Sequence, residues 1–254
     1  GGGHVRHAQM DYFTATRGGG HGHYRTPALA PANVQEVFDL TQLAFWMADH
    51  YRNPVLIVSD AIIGQTGELL ELKKIEFPPL PPKEWAVMGK ALHQDVQTRR
   101  VLSSQGLMKN PGREEYLDLI QALDDKYKEI EAKEVRYETK NTEDAELTLV
   151  AFGYCARMSE EAMNMARAKG LRVGLIRPIT LWPYPYKIVN QVAQRCGHML
   201  VVEDNLGMMI DDVRIGVEGR AQVHHLGTLA RHTRIDRGII LPERILQEIE
   251  TILA

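Results

Sequence analysis

The sequence predicts an α/β protein, and three observations carry that expectation. From about residue 143 onward, short apolar, β-branched runs alternate with stretches of helical periodicity, the pattern of a doubly wound sheet with right-handed crossovers. Residues 26–60 read as strand, helix and strand. Between these regions lies Phe77-Pro78-Pro79-Leu80-Pro81-Pro82, where each proline fixes its own φ and pushes its neighbour out of the helical region. The expected division is a first unit over residues 1–75, a proline-rich linker with a charged helix over 76–142, and an α/β domain over 143–254.

Each element has its own signal. Residues 26–30 are short and apolar enough for a strand. Asn33 stands where a helix cap belongs, with Glu36 three residues on as a capping box. Val34, Val37, Phe38, Thr41, Ala44, Phe45, Ala48 and Tyr51 then recur at helical spacing and mark the face expected to be buried. Pro54 opens the run Val55-Leu56-Ile57-Val58, which reads as a buried parallel strand ending at Ser59-Asp60. A charged helix over 113–138 carries a narrow stripe of Tyr116, Leu119, Ile120, Leu123, Tyr127 and Ile130, as expected for an arm lying across a surface. Further on, strands are expected at 147–152, 171–176 and 199–202, and helices at 157–169, 186–195 and 208–218. Pro242 suits the first position of a last helix.

Composition excludes several classes. Of the 254 residues, 44% are hydrophobic and 25% charged, which suits a soluble globular protein with room for one large or two small domains. No uninterrupted apolar run approaches the ~20 residues of a membrane span. A net charge of −3 argues against nucleic acid as a main partner, because phosphate neutralisation needs a basic surface. Cys155 and Cys196 are the two cysteines; they make neither a disulfide framework nor a four-thiolate iron–sulfur site.

The loop Arg17-Gly18-Gly19-Gly20-His21-Gly22-His23 invites a phosphate-loop reading, but it lacks the Lys-Ser/Thr of a P-loop and neither follows a strand nor opens a helix. A glycine-rich turn needing positive φ fits it, as does backbone that comes close to a ligand across a subunit boundary. The pairs His4/His7, His21/His23 and His224/His225 lack the third and fourth ligands of a zinc site, so they read as surface or loop histidines. Cys155 lies at a β-to-α turn, where a helix N-terminus lowers a thiol pKa, yet no base is positioned beside it. Glu203-Asp204-Asn205 ends a strand at the usual ligand edge of an open α/β sheet, and either binds a ligand or caps the next helix. Local chemistry alone completes no catalytic constellation.

The segments Gln9-Met-Asp-Tyr-Phe-Thr-Ala-Thr-Arg-Gly-Gly-Gly-His-Gly-His-Tyr24 and Leu29-Ala-Pro-Ala-Asn-Val-Gln-Glu36 closely resemble the pyrimidine-domain region of 2-oxoacid:ferredoxin oxidoreductase alpha subunits. So do Tyr51-Arg-Asn-Pro-Val55, Ser59-Asp60 running to Gly64-Gln65, Gly174-Leu-Ile-Arg-Pro-Ile-Thr-Leu-Trp-Pro183 and Val202-Glu-Asp-Asn-Leu-Gly207. Pro81-Pro82 to Trp85, and Val135-Arg136-Tyr137, look most like the branch acting on 2-oxoisovalerate. The resemblance implies a partial thiamine-diphosphate pyrimidine-type domain followed by a transketolase-C-terminal-like domain, in a cytoplasmic hetero-oligomer. It implies decarboxylation of a 2-oxoacid on thiamine diphosphate, transfer of the acyl group to coenzyme A, and electrons passed to ferredoxin. Diphosphate and Mg²⁺ would be held mainly by a beta subunit, with gamma and ferredoxin-like delta subunits completing the complex and iron–sulfur clusters on the partners. Within this chain it places Gly2, Gly3, His4, Gly20 and His21 nearest the cofactor, as backbone and shape contributors, and assigns no catalytic acid, base or nucleophile and no metal ligand.

The chain departs from the family pattern. A Tyr-Pro-Ile-Thr-Pro-Ser-like substrate loop and the glutamate that activates the aminopyrimidine are not present. Gly1-Gly2-Gly3 lacks a preceding Arg, His21-Gly22-His23 stands where the family often has His-Gly-Asp, and Asn205-Leu206-Gly207-Met208 where it often has Asn-x-Gly-Gln. The chain is therefore expected to be a truncated or separately encoded C-terminal part of an alpha subunit, with the strand–helix–strand of 26–60 short of sheet neighbours. The alternative is a non-catalytic scaffold subunit of such a complex; a free-standing nucleotide-binding protein is more distant.

Overall fold

A computed structural model describes residues 7–83, 113–228 and 238–254. In chain order its first elements are α1 (Tyr12–Arg17), β1 (Ala28–Leu29), α2 (Val34–Tyr51), β2 (Leu56–Ile57), α3 (Ala61–Gln65) and α4 (Arg113–Lys133). There follow β3 (Tyr137–Lys140), β4 (Leu147–Ala151), α5 (Gly153–Ala168), β5 (Val173–Pro178), β6 (Thr180–Trp182), α6 (Tyr186–Ala193), β7 (His198–Val202), α7 (Met209–Val217), β8 (Gln222–Leu226) and α8 (Pro242–Leu253). They build an α/β fold on two sheets, of strand order β2-β1-β6 and β3-β5-β4-β7-β8.

The larger sheet is parallel from β5 to β8, with β3 antiparallel on its edge. Its central strand, Leu147-Thr-Leu-Val-Ala151, is buried throughout, as a strand covered on both faces must be. Side chains alternate between the two layers. Leu147, Leu149, Leu200 and Val202 pack with Ala162, Met163, Ile245 and Ile249 of α5 and α8. Val150, Met199 and Val201 point the other way, to Val189, Val192, Met209 and Val213 of α6 and α7. Tyr12 and Ala15 of α1 join that second layer.

The smaller sheet joins distant parts of the chain. Ala28 and Leu29 pair in parallel with Leu56 and Ile57, and antiparallel with β6, where Ala28 faces Trp182 and Leu29 faces Thr180. Expected strand 55–58 is thus an edge strand, not a buried one: Leu56 is 39% exposed. The expectation of a shortage of sheet neighbours meets a third strand, β6, which the sequence hides because it is three residues long and closed by Pro183. The Trp182–Pro183 bond is cis.

Helix α2 begins as expected. Asn33 Oδ1 accepts the Glu36 N–H at 2.8 Å, but Glu36 reaches back to the Ala32 N–H, also at 2.8 Å, one residue beyond a standard capping box. Its buried face differs from the expected one. Leu40, Leu43, Ala44, Met47 and Tyr51 are buried, packed with Leu29, Tyr127, Ile130 and Trp182, whereas Phe45 is 74% exposed. Two apolar stripes share this helix, and periodicity alone does not choose between them; β1, β6 and α4 all lie on the Leu40/Met47 side.

A strap follows along the same helix. Gln35 and Gln42 lie two turns apart, so their amides line up on one flank. Gln35 exchanges two hydrogen bonds with the backbone of Glu71, and Gln42 does the same with Lys73 O and Ile75 N–H. Trp46 Nε1 then donates to Pro78 O at 2.8 Å while its ring stacks on Phe77. The backbone of this extended run thereby finds partners that it would otherwise have to find in water.

Other boundaries moved for identifiable reasons. Helix α4 stops at Lys133 because residues 137–140 ladder with β5. Only the later part of its stripe, Tyr127 and Ile130, is buried, while Tyr116 is exposed. Helix α5 starts at Gly153, four residues before the expected position. Strand β8 escapes sequence reading because Gln222-Val-His-His-Leu226 is polar for a strand.

Candidate functional site

The parallel strands β4 and β7 end side by side, and the chain fills the space beyond them with buried polar side chains. Glu203, Asp204 and Asn205 follow β7 and are all fully buried. Glu203 caps α7: its carboxylate accepts the N–H groups of Met208 at 3.1 Å, Met209 at 2.7 Å and Ile210 at 3.1 Å, with the Asn205 amide at 2.8 Å. His225 Nε2 stands 3.4 Å away. Burial pushes the Glu203 carboxyl up, but the His225 ring, the backbone N–H groups and Asn205 outweigh it and hold it below its ordinary value. Of the two roles open to this tripeptide, capping accounts for Glu203.

Asp204 is the centre of a second network. It accepts from Tyr154 OH at 2.6 Å, Thr228 Oγ1 at 2.7 Å and the ring of His7. Gln9 closes the group: its amide bridges Phe152 O and the Asp204 N–H, and its backbone bonds Asp204 O and the Asn205 side chain. Asp60 arrives from the first half of the chain and caps two helices at once. Its Oδ1 accepts Ile62 and Ile63 N–H at the start of α3, and its Oδ2 accepts Tyr154 N–H at the start of α5. Gly153 makes that approach possible. It has φ +58°, and a Cβ there would lie 2.7 Å from both Asp60 Oδ2 and Gln9 Nε2.

This surrounds Cys155 with a buried, acidic neighbourhood. Burial first, then the Asp204 and Asp60 carboxylates, pushes the thiol well above its ordinary value. The expected thiol-activating effect of a helix N-terminus is therefore reversed. The histidines also differ from the surface reading. His225 faces Glu203, and His224 Nε2 lies 3.1 Å from His198 Nδ1 across β7 and β8. Burial and His198 lower the His224 pKa.

The glycine loop leaves this body at a fixed point. Arg17 Nη2 bonds the buried carboxylate of Asp212 at 3.0 Å, and Asp212 also takes the hydroxyls of Tyr12 at 2.7 Å and Tyr186. Beyond Arg17 the chain turns at Gly18, φ +79°, around the ring of Tyr24, whose hydroxyl oxygen accepts the Gly19 and Gly20 N–H groups at 2.9 and 3.0 Å. Positive φ and this close ring both require glycine at 18. Residues 19–25 are exposed, so Gly20 and His21 project from the surface. Gly2, Gly3 and His4 lie outside the described residues.

A second electrostatic clamp holds β5 to α2. Arg177, 5% exposed, bonds both Glu36 oxygens at 2.8 and 2.7 Å and Glu138 at 3.0 Å. Burial alone would lower its pKa; the two carboxylates raise it instead. Among the described residues no three His, Cys, Asp or Glu side chains group so as to hold a metal ion, and no helix is long and apolar enough to cross a membrane. The buried acids at the strand ends are committed to backbone and side-chain donors. The glycine loop, by contrast, leaves residues 19–25 exposed.

Comparison with known proteins agrees with this architecture. Residues 2–98 match a family described as pyruvate flavodoxin/ferredoxin oxidoreductase, thiamine diphosphate-binding, and residues 145–235 match pyruvate:ferredoxin oxidoreductase core domain II. A ketoisovalerate oxidoreductase subunit VorB of Methanothermobacter marburgensis is 39% identical over 219 residues, covering 84% of this chain and 58% of its own length. A 2-oxoglutarate synthase subunit KorA of the same organism is 32% identical over 261 residues, covering 95% of this chain and 68% of its own. The fold is that of a 2-oxoglutarate:ferredoxin oxidoreductase from Magnetococcus marinus solved with 2-oxoglutarate, coenzyme A and succinyl-CoA bound: TM-score 0.74 at 18% identity, over 98% of this chain and 46% of that one. The chain belongs to the 2-oxoacid:ferredoxin oxidoreductase family. It spans a little under three-fifths of the length of the VorB relatives.

Proposed function

We propose that this chain works as one subunit of a thiamine-diphosphate-dependent oxidoreductase that converts a branched-chain 2-oxoacid, with 2-oxoisovalerate the first candidate. The overall change is 2-oxoacid plus coenzyme A to acyl-CoA, carbon dioxide, one proton and two electrons, the electrons leaving for ferredoxin. The observation that supports this best is the run of the thiamine-diphosphate-binding match through residues 2–98, which contains the projecting glycine loop. The higher identity to the VorB subunits than to the KorA subunits favours the branched-chain substrate.

In this reading residues 1–75 form part of the pyrimidine-side unit, 76–142 the linker and charged helix, and 143–254 the assembly domain. Gly20 and His21, with Gly2, Gly3 and His4, cover the cofactor with backbone and shape. Beta, gamma and ferredoxin-like delta subunits supply the Mg²⁺-bound diphosphate and the iron–sulfur clusters, and the complex works in the cytoplasm. Thiamine diphosphate, when bound, would supply the electron sink for decarboxylation. This chain's Tyr24 holds the loop that approaches it, and Arg17 with Asp212 fixes where the loop leaves the fold.

The test is reconstitution with the partner subunits, wild type against His21→Ala. A fall in kcat of about tenfold or more with assembly intact supports the placement, on the scale expected for misplaced positioning groups. Unchanged kinetics refute the site. A complex that assembles but never turns over any 2-oxoacid favours the scaffold alternative.

A further inference from the structure

A cleft of about 630 Å³ opens between the end of α4, strand β3 and the segment linking β6 to α6. Its size falls within the roughly 300–1,000 Å³ common for small-molecule sites. The floor is Trp182 and Tyr184, both nearly buried, and two exposed rings stand on its walls, Tyr137 at 42% and Tyr186 at 37% exposure. Three cations line it, Arg17, Arg25 and Lys187, against one acid, Glu131. Arg17 is engaged by Asp212. Arg25 and Lys187 are exposed, and their side chains make no hydrogen bond or ion pair among the described residues.

A second cleft sharpens the contrast. It holds about 310 Å³ and is also rich in charge, but its cations are already matched: Arg177 with Glu36 and Glu138, Lys140 with Glu160, and Arg157 with Glu68. Charge there is spent inside the protein. In the larger cleft Arg25 and Lys187 have no such partner among the described residues and stand beside exposed aromatic rings. Flat rings favour such faces, and uncompensated cations at the rim of an apolar floor favour an anion.

We propose that this cleft binds a nucleoside phosphate, with the base against the tyrosine rings and the phosphates on Arg25 and Lys187. The volume exceeds what a single-ring carboxylate would fill, which selects the larger of the two ligand types that share this chemistry. Arg17 and Arg25 flank the glycine loop on either side, and the proposal rests on the cleft's own lining rather than on the oxidoreductase reading.

The experiment is titration of the full chain with ADP, followed by calorimetry or equilibrium dialysis, alongside pyrophosphate, adenosine and indole-3-acetate. One ADP should bind saturably, and more tightly than any of the other three. The double variant Arg25→Gln/Lys187→Gln should weaken ADP by about tenfold or more, and Lys169→Gln, on the far surface in an ion pair with Glu250, should leave it unchanged. Three results each overturn the proposal: no saturable ADP binding, an unaltered affinity in the double variant, or equal affinity for pyrophosphate or indole-3-acetate.

Discussion

Replacing Glu203 by glutamine changes one atom type and keeps the shape, so it isolates what the carboxylate does. In the native fold Oε1 takes the Met208 and Ile210 N–H groups, and Oε2 takes Met209 N–H and the Asn205 amide. Glutamine has one oxygen. Whichever way its amide turns, an NH₂ group meets two donors and two charge-assisted bonds are lost. Such bonds contribute about 1.5–3 kcal/mol each, offset in part because a buried charge is removed. A net loss of about 3 kcal/mol is expected, and at roughly 2–4 °C per kcal/mol for a chain of this size the Tm should fall by about 6–12 °C.

The pH dependence gives a second check on the same residue. The Glu203 pKa is lowered in the folded protein, so its stabilisation is fully present above the unfolded value of about 4.3 and is lost as pH falls through the folded value. The stability gap between wild type and variant should stay constant from pH 7 to 5 and narrow below about pH 4. Thermal and urea unfolding at several pH values measure both. A Glu203→Gln protein within about 0.5 kcal/mol of wild type at pH 7, or a gap that widens in acid, would refute the capping argument.

Gly153→Ala should lower stability by about 3 kcal/mol, since it adds left-handed strain to a 2.7 Å clash with Asp60 and Gln9; chemical denaturation reads this directly. Arg177→Lys keeps the charge but not the fork that spans Glu36 and Glu138, so a loss of about 2 kcal/mol is expected in the same assay. Cys155 and Cys196 are both buried, and burial raises the Cys155 thiol. A thiol reagent at pH 8 should therefore label neither in the native protein and both in denaturant. Gln42→Ala removes two bonds to the strap, and limited proteolysis should then cut within residues 66–83 several times faster than in wild type.

The larger sheet was legible because its strands are short apolar runs set between helices with clear periods, and the positions of β4, β5 and β7 needed no tertiary information. Strands β3, β6 and β8 were not legible. Each is held by its neighbour in the sheet more than by its own composition: Tyr137-Glu-Thr-Lys140 pairs with β5, and Thr180-Leu-Trp182 crosses to the other sheet. The α2 stripe was misplaced for the same reason, because what covers Leu40 and Met47 comes from residues 29, 127, 130 and 182.

Around the candidate site, Glu203-Asp204-Asn205 and the glycine loop stood out as residue patterns. Glu203 and Tyr24 act on residues close by in sequence, whereas Asp204 and Arg17 act through partners 195 to 197 residues away. Gln9 has no motif of its own, yet it clips β4 to β7. Asp60 looks like an ordinary cap for α3, and its second helix begins at residue 153. Tyr24 could have been suspected as the template of the loop, being the first aromatic after Gly18-Gly19-Gly20. Its hydroxyl as acceptor for two successive amides is visible only in the fold.

The most direct measurement is 2-oxoacid-dependent reduction of a viologen dye by the native complex isolated through this chain, with coenzyme A present. The account predicts rapid reduction with 2-oxoisovalerate, slower reduction with 2-oxoglutarate, and loss of both when thiamine diphosphate is stripped and not restored. A complex that carries this chain and reduces the dye with no 2-oxoacid, or whose activity is indifferent to thiamine diphosphate, would contradict it.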